Sequence, residues 1–183
     1  MQDIRSYSSV YVEHGLTDRL TIGLDAGMGR GPDESVTAAL GFARLPVWSP
    51  GEHRVAVELG LGWLDDGVDG PQARIRPGLA WGRGFESRRG GGWLGMEASW
   101  EYRTPGGETA TKVDFTAGLK PSERWMGILQ LQTGDYPGSD PIARLAPSVV
   151  CRLGPRSHLQ LGGLAPLAGD DAWGATMALW FTF

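Results

Sequence analysis

The sequence predicts an all-β protein, an antiparallel up-and-down transmembrane β-barrel with about eleven strands visible in its 183 residues. Apolar residues recur at every second position, which is the period of a strand. An alternating segment appears roughly every 16 residues and ends in a turn rich in Gly, Pro, Asp or Ser, a spacing typical of a sandwich or a barrel. The 29 glycines disfavour helices, so we interpret residues 1–183 as a single β-barrel domain.

Alternation defines each strand in order. The predicted strands span residues 6–14, 19–28, 36–47, 53–64, 73–85, 93–103, 109–120, 124–133, 142–153, 158–167 and 173–183. One apolar face runs through Val10, Leu24, Leu45, Leu59, Leu79, Met96, Phe115, Leu129, Val149, Leu161 and Leu179 in turn. The pattern is clearest in 53–64 and least regular in 36–47, because Leu40 and Phe42 lie on the opposite face from Leu45.

The last segment, 173–183, decides how we interpret the apolar face. Its apolar side carries Trp173, Ala175, Met177, Leu179, Phe181 and Phe183, and the other side is small or polar apart from Trp180. A strand whose outer face meets lipid requires this pattern. The alternative is a buried edge strand of an ordinary β-sandwich.

The connections alternate in length along the chain. Those at 15–18, 49–52, 121–123 and 154–157 are tight, whereas those at 29–35, 65–72 and 134–141 are longer and carry Asp and Gly. Short turns on one side and longer loops on the other are typical of an outer-membrane barrel. The connection 86–92 departs from this rule, because it falls on the short side but is predicted to be long.

Two barrels fit the alternation, and charge discriminates between them. A soluble, lipocalin-like barrel would place the apolar face inside, whereas a membrane barrel places it outside against lipid. The polar faces carry interspersed charges of both signs together with many glycines, which suits a crowded lumen better than a solvated outer surface. The lumen-lining or solute-binding candidates are Arg44, Arg54, Glu58, Arg74, Arg76, Glu97, Glu101, Arg103, Lys112, Asp114, Arg144 and Arg152.

Composition excludes several other classes. The net charge of −4 and the pI near 5.4 do not indicate a nucleic-acid partner. No apolar run approaches the roughly 18 residues of a membrane helix. Cys151 is the only cysteine, so the chain has neither an internal disulfide nor a cysteine-based metal cluster. We expect no cofactor and no bound metal.

Two motifs resemble known proteins. The segment 173–183, with its final Phe and alternating apolar residues, resembles the C-terminal signal of bacterial outer-membrane barrels. The segment 11–23, Tyr-Val-Glu-His-Gly-Leu-Thr-Asp-Arg-Leu-Thr-Ile-Gly, resembles the hairpin Tyr-x-Glu-Tyr-Gly-Leu-Thr-Asp-x-Leu-Thr-Leu-Gly of an uncharacterised group of proteobacterial outer-membrane barrels, with His14 in place of the usual Tyr.

The resemblance implies a location and a topology but no substrate. It implies a bacterial outer membrane, contact with its lipid, and an encounter with the outer-membrane assembly machinery through the C-terminal strand. The residues carrying that assembly signal would be Trp173, Met177, Leu179, Phe181 and Phe183.

Catalytic chemistry finds little support in the sequence. His14, His53 and His158 stand alone at strand or turn edges, without a Ser and a carboxylate placed beside them. A lipid-modifying outer-membrane enzyme would use a lipid-facing Ser activated by His, and no such pair shares an apolar face. The acidic loop 65–70 lacks the bidentate Glu of a calcium loop. We therefore expect no enzymatic activity.

The leading functional hypothesis is a small channel or passive transporter. The polar faces carry nine Arg and Lys against six Asp and Glu when Glu13, Asp25 and Lys120 are counted with the candidates, and this excess would favour small anionic solutes. One alternative is a structural envelope barrel whose lumen is closed by salt bridges. A second alternative is the lipid-modifying enzyme.

The strand count predicts an open sheet. Bacterial single-chain barrels have an even number of strands, with both termini in the periplasm. Eleven strands therefore predict a twelve-stranded full-length barrel, of which this chain would lack the signal peptide and the first strand. We expect segments 6–14 and 173–183 to lie at the two edges of an unclosed sheet.

Overall fold

A computed structural model describes residues 6–31, 35–67, 70–169 and 172–182. These residues form eleven strands and no helix. The strands are β1 (Ser6–Thr17), β2 (Leu20–Arg30), β3 (Ser35–Trp48), β4 (His53–Asp65), β5 (Pro71–Ser87), β6 (Gly90–Thr104), β7 (Thr109–Lys120), β8 (Trp125–Asp135), β9 (Ile142–Arg152), β10 (Ser157–Ala168) and β11 (Gly174–Phe181). They form one sheet in sequence order. The prediction of an all-β, antiparallel, up-and-down sheet is confirmed.

The connections define two ends of the sheet. At the end that we call the turn end, consecutive strands are separated by two to four residues. At the opposite end, the loop end, they are separated by four to six. The asymmetry between short turns and longer loops is therefore present but smaller than predicted, because four-residue connections occur at both ends.

The long connection predicted at 86–92 is wrong. β5 continues to Ser87 and β6 begins at Gly90, so only residues 88–89 remain as a turn. Gly90 has a φ of +115°. The Ser87 hydroxyl donates to the Gly90 carbonyl at 2.7 Å and accepts from the Arg89 amide at 3.2 Å. Ladder pairing thus extends through the glycines, where the sequence pattern carries no alternating side chains to mark a strand.

The sheet is curled into a half-barrel. Arg76 on β5 contacts Asp25 on β2 at 3.6 Å, and Arg44 on β3 reaches Glu97 on β6 at 4.0 Å. Strands three apart in a flat sheet are separated by about 14 Å, beyond the reach of these side chains. The charged face must therefore be the concave one.

The two edge strands do not pair with each other among the described residues. β1 bonds only to β2 and β11 only to β10. Both run from the loop end to the turn end, because nine strands that alternate in direction lie between them. The predicted open edges are confirmed in this part of the chain.

Polarity is sharply divided between the faces. Large apolar side chains on the convex face are exposed, among them Leu24, Leu59, Leu61, Leu79, Phe115, Leu129, Val149, Leu161 and Met177. The buried apolar residues Leu40, Phe42, Ala110, Ile128, Ala146 and Val150 all share the register of the concave face. The concave face therefore carries most of the charges together with the buried apolar residues, whereas large apolar side chains are exposed on the convex face.

The irregular third strand has a structural cause. Leu40 and Phe42 point to the concave side, where their exposed fractions are 0% and 5%. Near the turn end a register shift between Pro46 and Trp48 brings Trp48 opposite Val55 on the convex face. A β-bulge of this kind re-aims the side chains that follow it.

Candidate functional site: the charged concave face

Six charged residues from six strands form what we call the central network. Arg44 donates to Glu58 through Nε at 3.0 Å and Nη2 at 2.9 Å, and its Nη1 reaches Glu13 at 3.4 Å. Arg76 contacts the other oxygen of Glu58 at 3.6 Å and also Asp25. With Glu97, two arginines thus hold four carboxylates and link β1, β2 and β6 through β3, β4 and β5.

A second group, the loop-end network, lies toward the longer loops. Glu101 accepts from Arg74 at 3.2 Å and from Arg103 Nε at 2.8 Å. The side chains of Arg74 and Glu101 are each only 10% exposed. Arg103 also reaches Glu108 at 4.0 Å. A buried carboxylate between two arginines is held firmly, because every lost contact would leave an uncompensated charge.

Lys112 and Asp114 form a separate pair on β7, with Nζ and Oδ2 2.8 Å apart. They occupy alternate positions of one strand and therefore share its concave face. Asp114 is buried and Lys112 remains half exposed. The ammonium group keeps donors available beyond the one directed at Asp114.

Three of the predicted candidates lie apart from these groups. Arg54 is at the turn end, where its Nη1 donates to the carbonyls of Gly51 and His53 at 2.7 Å. Arg152 is also at the turn end and contacts Glu123 at 3.6 Å. Arg144 is on the concave face of β9, opposite Gln132 of β8. The structure thus brings nine of the twelve candidates into three groups and leaves these three at other places on the same face.

Charge is unevenly distributed along the groove. The central network alone contains two cations and four anions. The positive excess counted from the sequence therefore does not lie at the middle of the concave face. At the turn end, Arg54, Lys120 and Arg152 lie beside three carboxylates, Glu52, Glu86 and Glu123.

Glycines make room for the apolar residues of the concave face. A Cβ at Gly60 would lie 2.5 Å from Leu40 Cδ2, and a Cβ at Gly23 would overlap the Phe42 ring. Phe42 also stacks on Tyr11, with ring centroids 5.6 Å apart. The glycines are therefore sockets for side chains from the neighbouring strand.

Sequence reasoning missed the aromatic residues of this face. Tyr7 and Tyr11 project from β1 into the groove, and Tyr136 follows β8. Trp93, which the sequence places near a strand end, lies over Gly118 on the concave face. The available signal was their parity with Glu13 on β1, Gln132 on β8 and Glu97 on β6.

Aromatic side chains form two bands on the convex face. Trp48, Trp81 and Trp125 lie toward the turn end, and Trp63, Trp100 and Tyr102 lie toward the loop end. His53 joins the first band, accepting a hydrogen bond from Trp81 Nε1 at 3.2 Å. Convex charges are confined to positions near strand ends among the described residues, and these are Arg30, Asp65, Arg83 and Asp135.

The C-terminal strand presents its apolar side outward. Met177, Leu179 and Phe181 are exposed on the convex face of β11, and Trp173 precedes the strand with 78% exposure. Phe183, the last residue of the proposed assembly signal, lies outside the described residues.

Other chemistry gains no support from the described residues. They contain no cluster of three or more His, Cys, Asp or Glu that could hold a metal ion. Residues 68–69 of the acidic loop lie outside the described ranges. Among the same residues, no helix is long and apolar enough to cross a membrane.

Comparisons with known proteins found no relative. No protein-family model matches the chain, and no curated protein or solved structure matches it.

Proposed function

We propose that the chain is a bacterial outer-membrane β-barrel that acts as a small channel or passive transporter, favouring small anionic solutes. The observation that carries this proposal is the inverted polarity of the curled sheet. Its convex face is apolar and exposed, whereas its concave face is charged and partly buried. An exposed apolar surface of this extent requires lipid or a partner to cover it.

The aromatic bands support insertion into a bilayer. Trp48 pairs with Val55 of β4, and Trp63 follows Val55 by eight positions on the same strand. At about 3.3 Å per residue and a tilt near 40°, the bands are roughly 20 Å apart along the membrane normal. This height is close to the apolar band of about 25 Å that aromatic girdles flank in outer-membrane barrels.

A twelfth strand belongs to this proposal. β1 and β11 run in the same direction, so a strand antiparallel to both would pair with each of the two edges. A second copy of the half-barrel, inserted in the same orientation, would instead bring β11 of one copy beside β1 of the other as a parallel pair. Unsatisfied edge groups in lipid cost several kcal/mol each, which favours closure.

Conductance tests the channel directly. The folded protein in planar bilayers should conduct chloride, and the double variant Arg74→Glu/Arg76→Glu should shift the reversal potential toward cation selectivity. Arg83→Glu, on the convex face, is the matched control and should leave selectivity unchanged. An absence of conductance in wild type would rule out the channel. An unchanged reversal potential in the double variant would show that neither arginine lies on the conduction pathway.

One alternative function has its own observation. Arg44 links Glu13 on β1 with Glu58 on β4 and Glu97 on β6, so the central network crosses the groove. A closed, structural barrel would use such a network as a plug. It predicts no conductance in wild type but measurable conductance in Arg44→Ala. We propose no catalytic role, and phospholipid incubated with the protein should be recovered without released fatty acid.

A further inference from the structure

A pocket of about 330 Å³ lies on the concave face beside the loop-end network. We call it the loop-end pocket and define it by Tyr7, Asp25, Arg74, Arg76, Lys112 and Tyr136. These residues come from β1, β2, β5 and β7 and from the connection after β8. The volume is at the lower end of the range for small-molecule sites.

The floor of the pocket carries two arginines with unused donors. Arg74 and Arg76 are alternate residues of β5 and share its concave face. Their terminal nitrogens contact Glu101, Asp25 and Glu58 at 3.2 to 3.6 Å. The Nε of each is buried and has no hydrogen-bond partner among the described residues, and Arg74 as a whole is only 9% exposed. A buried donor without an acceptor is unfavourable by roughly 1–3 kcal/mol.

The walls are formed by two tyrosines, each held against a glycine. A Cβ at Gly27 would overlap the Tyr7 hydroxyl, and a Cβ at Gly134 would lie 2.5 Å from Tyr136 Cε2. Gly134 pairs with Lys112 across β7 and β8, so the ring of Tyr136 lies next to the position of Lys112 in the sheet. The two hydroxyls and the ammonium group are hydrogen-bond donors.

Charge in the lining favours an anion. Four cations, Arg74, Arg76, Arg103 and Lys112, line the pocket together with two carboxylates, Asp25 and Glu101. Three further carboxylates, Glu58, Glu108 and Asp114, contact Arg76, Arg103 and Lys112 from outside the lining. Both lining carboxylates are engaged by arginines, so binding would use the terminal nitrogens of Arg74 and Arg76 and the ammonium group of Lys112, whose donors are not all taken up by these contacts. A planar guanidinium matches the paired oxygens of a carboxylate or a phosphate, and charge-assisted bonds of this kind are the strong ones.

We propose that the loop-end pocket binds a small oxyanion, a carboxylate or a phosphate, through Arg74, Arg76 and Lys112, with Tyr7 and Tyr136 donating from the walls. This inference rests on the proposed function in one respect, because it takes the concave face as the lumen of the barrel. Binding itself can be measured without any current.

The test is calorimetric titration of the folded protein in detergent at low ionic strength, with sodium succinate and with sodium phosphate as separate probes. Saturable binding of either probe is expected, and its identity distinguishes the two sources of the oxyanion. Arg76→Gln should weaken binding at least tenfold, and the milder Tyr136→Phe should weaken it several-fold. Arg83→Gln removes the same charge from the convex face and should bind as wild type does.

Each outcome separates the site from the channel. A heat-modifiability gel establishes that every variant is folded before titration. Saturable binding without conductance would retain the site and remove the channel. Conductance without saturable binding of either probe, or equal affinities for Arg76→Gln and wild type, would overturn the site and leave the channel in place.

Discussion

At the residue scale, the charged pairs differ mainly in burial. Glu101 is 8% exposed and bridges Arg74 and Arg103, whereas the side chains of Glu52 and Arg83 are 61% and 49% exposed. Breaking a buried pair leaves an uncompensated charge, while an exposed pair contributes little because water screens it.

Glu101→Gln is therefore expected to lower the free energy of unfolding by about 3–5 kcal/mol. The same substitution at Glu52 should change it by less than about 1 kcal/mol. Urea or guanidinium unfolding in micelles, followed by gel mobility, measures both variants. Equal stability losses in the two variants would contradict the assignment of Glu101 as a buried bridge.

The glycine sockets give a second residue-scale prediction. Gly60→Ala would press a methyl group against Leu40 and should lower the free energy of unfolding by about 1–3 kcal/mol. Gly127→Ala meets no heavy atom within 4 Å and is the control. Its stability should stay within about half a kcal/mol of wild type. If Leu40→Val fails to improve the Gly60→Ala variant, the socket interpretation is wrong.

At the element scale, the question is whether lipid or water covers the convex faces of the strands. Leu59 is in the middle of β4 and is 50% exposed, and Leu167 is near the loop end of β10 and is 59% exposed. In a bilayer, an arginine at the midplane is unfavourable by about 2–4 kcal/mol, and one near the interface by about 0–1 kcal/mol. In water, the two positions should tolerate arginine equally.

Leu59→Arg is thus expected to impair folding into lipid vesicles far more than Leu167→Arg. Folding yield at increasing urea concentration, read from the heat-modifiable band, gives the comparison. If the two variants fold equally well, lipid does not cover the middle of the convex face.

At the whole-molecule scale, the open edges are the decisive feature. We expect the amides of β1 that face away from β2 to exchange rapidly with deuterium in the chain as it stands. Fusing one further alternating strand ahead of residue 1 should protect these amides and increase the heat-stable band, because the added strand can bond to both edges. The same fused segment with its alternation scrambled is the control. Protection of these amides without the added strand would show that the edges are already paired.

The sequence by itself determined which residues share a face and where most strands lie. Alternation is a consequence of local backbone geometry, so parity along each strand was enough to place Arg44, Glu58 and Arg76 together on the polar side. Strand bounds failed mainly where side chains give no signal, as at Gly90, Gly91 and Gly92. There, pairing with the neighbouring strand rather than local preference extended the ladder.

Only the tertiary structure decided which charges meet. Arg44 with Glu97, and Arg76 with Asp25, come together because the sheet curls across three strands. Curvature and register are properties of the whole sheet and leave no local trace in the sequence. For the same reason the count of charges along the strands predicts only a net excess of cations on the polar face. The curl of the sheet decides that four carboxylates surround two arginines at its centre and that cations line the loop-end pocket.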